Sequence, residues 1–197
     1  PWPEDRPSRS LKGAKAARVV RALCDFQPPV GIRELAARAG TDPGYVSRIV
    51  AFLDREGLVD RGVSTPSPTS PGPKRRGPVT SVRWRELLGR WSEDYSLLGS
   101  HRTAPYLDAR GLGHFMTKLA KAGFRHAVTA SFGASKVAPS ASTRLAVCYV
   151  DDLEQAAASL ALVPAESGAN VILAEPFDGI VYERVWKRDG ISYAALT

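Results

Sequence analysis

This sequence has few of the residues that build disulfide-linked or zinc-binding proteins. It contains two cysteines, Cys24 and Cys148, and three histidines in 197 residues. The cysteines lie in separate apolar patterns without metal-like spacing, which indicates buried thiols in a reducing compartment rather than a disulfide. The histidines have neither an i, i+4 partner nor a nearby cysteine that would suggest zinc. We therefore predict no metal site and no cofactor.

Long apolar runs are also absent. The segments RLAVCYV and ANVILA fall far short of the ~20 residues that a membrane-spanning helix needs. The first ten residues, PWPEDRPSRS, are polar and contain no apolar signal core. The missing initiator methionine indicates a fragment or a trimmed chain. A cytoplasmic protein with no membrane partner is expected.

Positive charge is concentrated in the first half of the chain. Residues 1–90 contain 17 Lys and Arg against 9 Asp and Glu, a balance of +8, whereas residues 91–197 contain 10 against 11, a balance of −1. This asymmetry suggests that the first half meets a polyanion. On charge alone, a merely basic surface is an equal alternative.

The first half has the apolar periodicity of three helices. A first helix is predicted over residues 10–26, and a second, short helix follows from Gly31. Gly40 stands where a helix C-cap needs positive φ. Asp42 fits an N-cap and Pro43 the first position of a third helix. The third helix is expected to bury four apolar residues: Val46, Ile49, Val50 and Leu53.

Two helices joined by such a turn are typical of a helix-turn-helix, whose second helix enters the DNA major groove. Five residues of the third helix are the candidate DNA contacts: Gly44, Tyr45, Ser47, Arg48 and Arg55. The Arg48 guanidinium can bind guanine O6 and N7 in bidentate fashion, and the hydroxyl groups can donate to phosphates or base edges. Gly44 would let the backbone approach the duplex. The alternative is that Arg48 is only a solvated surface charge.

Two β-prone segments within residues 58–83 flank a loop rich in proline, serine and glycine. This pattern predicts a β-hairpin with a long tip, a wing, which carries Lys74, Arg75 and Arg76. Their cationic groups could follow phosphates or enter the minor groove. The alternative is a flexible linker, because a segment of this composition cannot build a core.

Residues 10–85 resemble the winged helix-turn-helix domains of bacterial transcriptional regulators, especially the MarR-like and IclR-like groups. The segment IRELAARAGTDPGYVSRIVAFLDREGLV carries the likeness. The resemblance implies that the helix from Asp42 to Arg55 is a recognition helix. It also implies that REGLV leads into the wing.

The second half contains strand-like segments that alternate with short helical ones, which favours a small α/β sheet. The pair Asp189-Gly190 is a strong signal for a two-residue hairpin. SFGASK resembles the glycine and serine turn of nucleotidyltransferases, which would require a D-x-D pair for magnesium. Asp151 and Asp152 are instead adjacent and stand where a helix needs an N-cap. No catalytic residue is predicted.

Two longer segments, RHAVTASFGASKVAPSASTRLAVCYVDD and GANVILAEPFDGIVYERVW, resemble the C-terminal domain of AbiEi-type antitoxins, which regulate abortive-infection systems. The resemblance implies a protein that represses its own operon. It also implies that the protein counters a nucleotidyltransferase-like toxin.

The expected fold class is α+β. It comprises a winged helix-turn-helix over residues 10–83, a helical connector over residues 84–109 and a small α/β, antitoxin-like domain over residues 110–197. The expected function is that of a sequence-specific, double-stranded DNA-binding transcriptional regulator, a nucleoid-associated autorepressor of antitoxin type without catalytic activity. A cognate toxin and a second copy, as a homodimer, are further candidate partners. Two alternatives stay open: a nucleotidyltransferase-like enzyme with a DNA-targeting module, and a ligand-responsive regulator.

Overall fold

The computed structural model describes residues 10–63, 76–138 and 143–195. The chain folds into two compact units that divide between Ser96 and Leu97. Both units contain helices and strands, which confirms the mixed α+β class. Within the described ranges, no helix combines the length and the apolar character that crossing a bilayer requires.

In the first unit, three helices precede a two-stranded antiparallel hairpin, and a fourth helix follows it. The elements are α1 (Ala14–Asp25), α2 (Ile32–Ala39), α3 (Pro43–Arg55), β1 (Val59–Val63), β2 (Arg76–Val82) and α4 (Trp84–Asp94). Val30, between α1 and α2, forms a bridge with Val79 of β2, and the N–H of each donates to the carbonyl of the other at 2.9 Å. The hairpin is thereby joined to the start of the helical pair.

One apolar core connects the helices of the first unit with the hairpin. The four residues of α3 that were predicted to be buried, Val46, Ile49, Val50 and Leu53, all have 0% exposure, so the predicted inner face is confirmed. Leu87 of α4 is also fully buried. The hydrophobic effect therefore fixes how α3 is rotated about its own axis.

The first helix begins later than predicted. Gly13 has a φ of 88°, which a right-handed helix does not permit, and α1 starts at Ala14. The N–H of Leu11 donates to Oδ2 of Asp94 at 2.8 Å. The predicted start at residue 10 was wrong because apolar spacing does not reveal this contact with a residue far along the chain.

The second unit is built on a seven-stranded mixed sheet with the order β6-β3-β7-β5-β4-β9-β8. The strands are β3 (Arg102–Leu107), β4 (His126–Thr129), β5 (Ala146–Val150), β6 (Val163–Pro164), β7 (Val171–Glu175), β8 (Trp186–Arg188) and β9 (Ile191–Tyr193). The pairs β5–β7 and β4–β9 are parallel, and the remaining pairs are antiparallel.

Helical segments accompany this sheet: α5 (Leu97–Ser100), α6 (Leu112–Leu119), α7 (Ala130–Ala134), α8 (Leu153–Ser159) and a 3-10 turn, Gly179–Tyr182. The central strand β5 is buried along its whole length. Its Cys148 packs in the larger core with Phe115 of α6 and Leu153 of α8. Tyr149 points to the opposite face and packs with Ala174. The sheet is therefore covered on both faces in its middle.

Two local predictions for the second unit are confirmed. Arg188 pairs with Ile191 across Asp189 and Gly190, whose φ values of 52° and 78° are those of a type I′ hairpin. Asp152 caps α8, because its carboxylate accepts the N–H of Gln155 at 2.8 Å. Both features depend on neighbours within three residues.

The segment 84–109 is not helical throughout. α4 joins the core of the first unit through Leu87, whereas β3 pairs with β7 in the sheet of the second. The prediction of a helical connector was therefore wrong for Arg102–Leu107. This segment is short and contains Pro105. Its sequence therefore lacks the longer alternation of apolar and polar residues from which a paired strand can be predicted.

Two buried histidines in the second unit accept backbone hydrogen bonds. Nδ1 of His101 accepts the N–H of Phe177 at 3.2 Å, and Nε2 of His126 accepts the N–H of Ser192 at 3.2 Å. A ring nitrogen can accept only while it is unprotonated. Burial lowers the pKa of both rings, although the Phe124 carbonyl partly opposes this for His126. Folding thus favours the neutral form of both.

We expect the second unit to lose stability as pH falls below the ordinary histidine pKa of about 6.5. The two imidazole rings bind protons less readily in the folded chain than in the unfolded chain. Their contribution to the free energy of unfolding is therefore complete above this pH and is lost as the pH falls toward the lower pKa of the folded state. Urea unfolding between about pH 7.5 and 5.5, followed through NMR signals of the second unit, measures this dependence.

The double variant His101→Asn, His126→Gln keeps an acceptor atom at each position but removes the titration. Its unfolding free energy should vary less with pH over the same range. A slope equal to that of the unmodified chain would show that other groups cause the dependence.

Candidate nucleic-acid interface

The turn between α2 and α3 sets the direction in which α3 leaves the core. Gly40 ends α2 in the left-handed region with a φ of 57°. The side chain of Asp42 then accepts the N–H of Tyr45 at 2.9 Å, with Pro43 at the first helical position. The predicted C-cap and N-cap are both confirmed, and together they define the start of α3.

α3 has one face directed away from the apolar core. Gly44, Ser47 and Arg55 are exposed and Arg48 is half-buried. Their spacing of i, i+3, i+4 and i+11 places all four on one side of the helix. With a rise of 1.5 Å per residue, this side extends roughly 16 Å from Gly44 to Arg55. The structure thus brings four of the predicted DNA contacts together on one surface, the outer face of α3.

Tyr45 lies at the edge of this face and is half-buried against the core of the first unit. Burial raises the pKa of its phenol, and the positive charge of Arg48 opposes that shift. The guanidinium carbon of Arg48 lies 5.9 Å from the centroid of the Tyr45 ring, within the range of a cation–π contact. Tyr45 therefore supports the Arg48 side chain from one side.

The predicted contacts of the wing tip are only partly within the described residues. Lys74 and Arg75 lie outside them, and Arg76 is described as the first residue of β2 through its backbone alone. Their predicted contacts with DNA stay predictions. What the structure does show is the part of the hairpin next to the helices.

Two other cations of the hairpin are engaged within it. Arg61 donates from Nε and Nη2 to the carbonyl of Gly77, at 3.2 and 3.1 Å. Arg83 lies 3.3 Å from Asp60 and also donates to a backbone carbonyl. These two side chains connect the strands of the hairpin.

The nucleotidyltransferase alternative depends on the SFGASK turn and on Asp151 and Asp152. The turn and the two aspartates lie at opposite ends of the β4–β5 pair. The SFGASK turn begins at Ser131, two residues after Thr129, which pairs with Val147 near the start of β5. Asp151 follows the far end of β5, where Val150 pairs with His126. Four residues of extended chain separate these levels by roughly 13 Å. This pair of strands does not bring the turn and the aspartates together.

Both aspartates also have partners. Arg125 holds Asp151 with two hydrogen bonds, at 2.7 Å from Nη2 and 3.0 Å from Nε, and these lower the pKa of that carboxyl group. Asp152 is engaged as the N-cap of α8. Their roles in the described structure are an ion pair and a helix cap.

A cluster of carboxylates that the sequence did not indicate comprises Asp152, Glu154 and Glu175, with one oxygen of each within 4.8 Å of the others. Arg102 binds two of them, with Nη2 at 2.5 Å from Glu154 and Nη1 at 2.7 Å from Glu175. The N–H of Leu153 also donates to Glu175 at 3.0 Å. The cluster is an ion-paired link between β3, β7 and α8.

A buried polar cluster around Asp108 was missed by sequence analysis. The carboxylate lies 2.7 Å from Nζ of Lys118 and 2.9 Å from Nδ1 of His114. Burial raises the pKa of this carboxyl, but the hydrogen bonds from Lys118 and His114 outweigh burial and bring it below its ordinary value. The i, i+4 spacing of His114 and Lys118 on α6 was the available signal.

Among these arrangements, the outer face of α3 combines exposed polar groups with a helix whose other side is anchored in a core. The sequence matches no protein-family model and has no match among curated proteins or solved structures. Function therefore has to be inferred from the geometry and charge of this face.

Gly44 has a structural role besides any approach to DNA. A Cβ at this position would lie 3.0 Å from Oδ1 of Asp42, the atom that caps α3. Gly89 of α4 is a matched control, because a Cβ there would have no neighbour within 4 Å.

We expect Gly44→Ala to be less stable than Gly89→Ala by about 1 kcal/mol, since both changes replace a helical glycine and gain about 0.5–1 kcal/mol, but only the first weakens an N-cap, at a cost of about 1 kcal/mol. Urea unfolding monitored by circular dichroism gives both values. Equal stabilisation by the two changes would show that the cap tolerates a methyl group at position 44.

Proposed function

We propose that this protein is a sequence-specific, double-stranded DNA-binding transcriptional regulator in which α3 is the recognition helix. The observation that carries the proposal is the outer face of α3: Gly44, Ser47, Arg48 and Arg55 on one side of a helix whose opposite side is fully buried. Recognition of a base edge needs donors on a rigid element. α3 meets this requirement through its core and its capped N-terminus.

The chemistry of the N-terminal half of α3 suits the major groove. An α-helix fits that groove, and the first turns of a recognition helix approach the base edges. Arg48, on the second turn and beside Tyr45, offers a planar pair of donors that matches guanine O6 and N7. Arg55, about two turns further on, is placed to bind phosphate. This division of roles predicts that Arg48 contributes specificity and Arg55 contributes affinity.

The hairpin after α3 supports the interpretation as a winged helix-turn-helix. A bridge at Val30 precedes α2 and pairs with β2, so the order is helix, bridging residue, two helices and hairpin. The cationic run Lys74, Arg75 and Arg76 belongs to the connection between β1 and β2 and the start of β2. A basic hairpin beside a recognition helix can bind the phosphate backbone or the minor groove.

The excess of positive charge lies in the first half of the sequence, which also contains α3 and the hairpin. Residues 1–90 have a formal balance of +8 and residues 91–197 a balance of −1. A polyanion is therefore expected to bind the first unit.

The antitoxin role and a possible homodimer stay predictions, tested by growth rescue with a cognate toxin and by measurement of the oligomeric state.

We expect Arg48→Ala to cost about 1–3 kcal/mol at the preferred DNA site and to relax preference at one base pair, as expected when a bidentate hydrogen bond to a base is removed. Selection of binding sequences from a random duplex pool with the full chain identifies the site, and titration of site and mismatched duplexes gives the free energies. Arg85→Ala, which removes an exposed arginine from α4 rather than α3, is the control and should leave base preference unchanged. Equal weakening of all duplexes by Arg48→Ala would assign Arg48 to phosphate.

Replacement of Lys74, Arg75 and Arg76 by glutamine should weaken specific and random duplexes alike. Each phosphate that the protein no longer neutralises removes up to about 0.9 from the slope of log K against log salt, so the triple variant should lower the slope by up to about three. Binding measured at several salt concentrations tests this. A triple variant with an unchanged slope would place the DNA contacts elsewhere, and a flat slope for the unmodified chain would contradict binding to a polyanion.

A further inference from the structure

A pocket of about 490 Å³ lies in the second unit, between the end of α6, the turn that follows it and α8. Its lining includes Lys118, Lys121, Phe124, Gln155, Ser159 and Leu160, and it contains no carboxylate side chain. Pockets of about 300–1,000 Å³ are the usual size for small-molecule ligands. The pocket is remote in sequence from the outer face of α3 and takes no part in the proposed DNA contact.

Lys118 forms a fixed part of the pocket wall. Its Nζ lies 2.7 Å from Oδ2 of the buried Asp108 and donates to the carbonyl of Leu160 at the end of α8. The Asp108 carboxylate balances the positive charge of Lys118. The Lys118 ammonium group in turn satisfies the Leu160 carbonyl at the C-terminal end of α8. An ammonium group has three donors, so one N–H of Lys118 is left for a ligand.

Lys121 contributes a second ammonium group to the pocket lining. It is exposed, and it forms no ion pair with any residue in the described ranges. The backbone turn after α6 holds it in place, since its N–H donates to the carbonyl of Lys118 at 3.0 Å. The pocket mouth therefore has the positive charge of Lys121, together with the free donor of Lys118.

The remaining lining divides into an apolar and a polar part. Phe124 and Ala122, both partly exposed, provide apolar surface. Gln155 and Ser159, one turn apart on α8, provide an amide and a hydroxyl. A ligand with one anionic group and a flat apolar body matches this distribution.

We propose that the pocket binds a small organic monoanion, a carboxylate on a flat apolar body. The carboxylate lies between Lys121 and the free donor of Lys118, and the apolar body lies against Phe124 and Ala122. The site is independent of the proposed DNA binding, so failure of either proposal leaves the other standing.

The test uses three probes of similar shape that differ in charge: 2-naphthoate, neutral 2-naphthamide and protonated 2-naphthylmethylamine. NMR titration of the full chain gives both the dissociation constants and the location of binding. Naphthoate should bind tightest, by about three- to fivefold, the usual effect of one partly exposed ion pair. It should shift the backbone signals of residues 118–124 and 155–160. Equal affinities, tighter binding of the amine or shifts elsewhere would overturn the proposal.

The matched variants are Lys121→Gln and Lys187→Gln. Lys187 is an exposed lysine of β8 that does not line the pocket. Lys121→Gln should weaken naphthoate by about three- to fivefold and leave naphthamide unchanged, whereas Lys187→Gln should leave both unchanged. An equal effect of the two variants would reduce the result to general charge attraction and overturn the assigned site.

Discussion

The turn from Gly40 to Pro43 determines which residues of α3 face away from the protein. Gly40 ends α2 in a left-handed conformation, and Asp42 starts α3 by accepting the N–H of Tyr45. Each residue of an α-helix is rotated by about 100° from the previous one, so a shift of one residue at the turn would carry Arg48 from the outer face toward the core. The four buried apolar residues on the opposite side oppose such a shift. Local capping and the common core therefore specify the same register, and the proposed recognition face depends on both.

In the second unit, several ion pairs join separate helices and strands. Arg102 joins β3 to α8 and β7, Arg125 joins the start of β4 to the end of β5, and Asp108 joins the end of β3 to α6. The exposed pairs contribute little free energy, about 0–1 kcal/mol each. Asp108 is different, because it is buried and removing it would leave the Lys118 ammonium and the His114 ring without their partner. The near balance of charge in this half of the sequence thus corresponds to pairing between elements, rather than to a lack of charged groups.

The features that could be predicted from the sequence are those whose partners are close along the chain. The caps at Gly40, Asp42 and Asp152 and the hairpin at Asp189-Gly190 depend on residues at most a few positions away. The inner face of α3 was also predictable, because apolar spacing alone defines it. The outer residues followed as the remainder of that helix, so their placement was predictable but their function was not.

The features that the sequence analysis missed have partners that are further away along the chain. The late start of α1 and the strand β3 each involve contacts across a large sequence separation, as between Leu11 and Asp94. The cluster at Asp108 instead joins the end of a strand to the helix that follows it, six and ten residues along the chain. Trp84 is a related case, since it stands at helical spacing with the buried Leu87 on α4 but its own side chain is 55% exposed, with Arg85 over its ring. Helical spacing gives the face of α4 but not the width of the core that this face meets. Leu87 alone among the residues of α4 is classed as fully buried in the described structure.

In the described part of the second unit, the carboxyl groups with a lowered pKa belong to separate ion pairs. Catalysis by acid and base groups requires several such groups to converge on one reacting atom. In the described residues, Asp108, Asp151 and Glu154 each have a lowered pKa, and each forms hydrogen bonds with a different cation, Lys118, Arg125 and Arg102 respectively, at a separate place in the second unit. Sequence recognition instead needs donors held rigidly at a surface, with little change on binding. The outer face of α3 has this property, because its direction is fixed by a cap and a buried face before any ligand arrives.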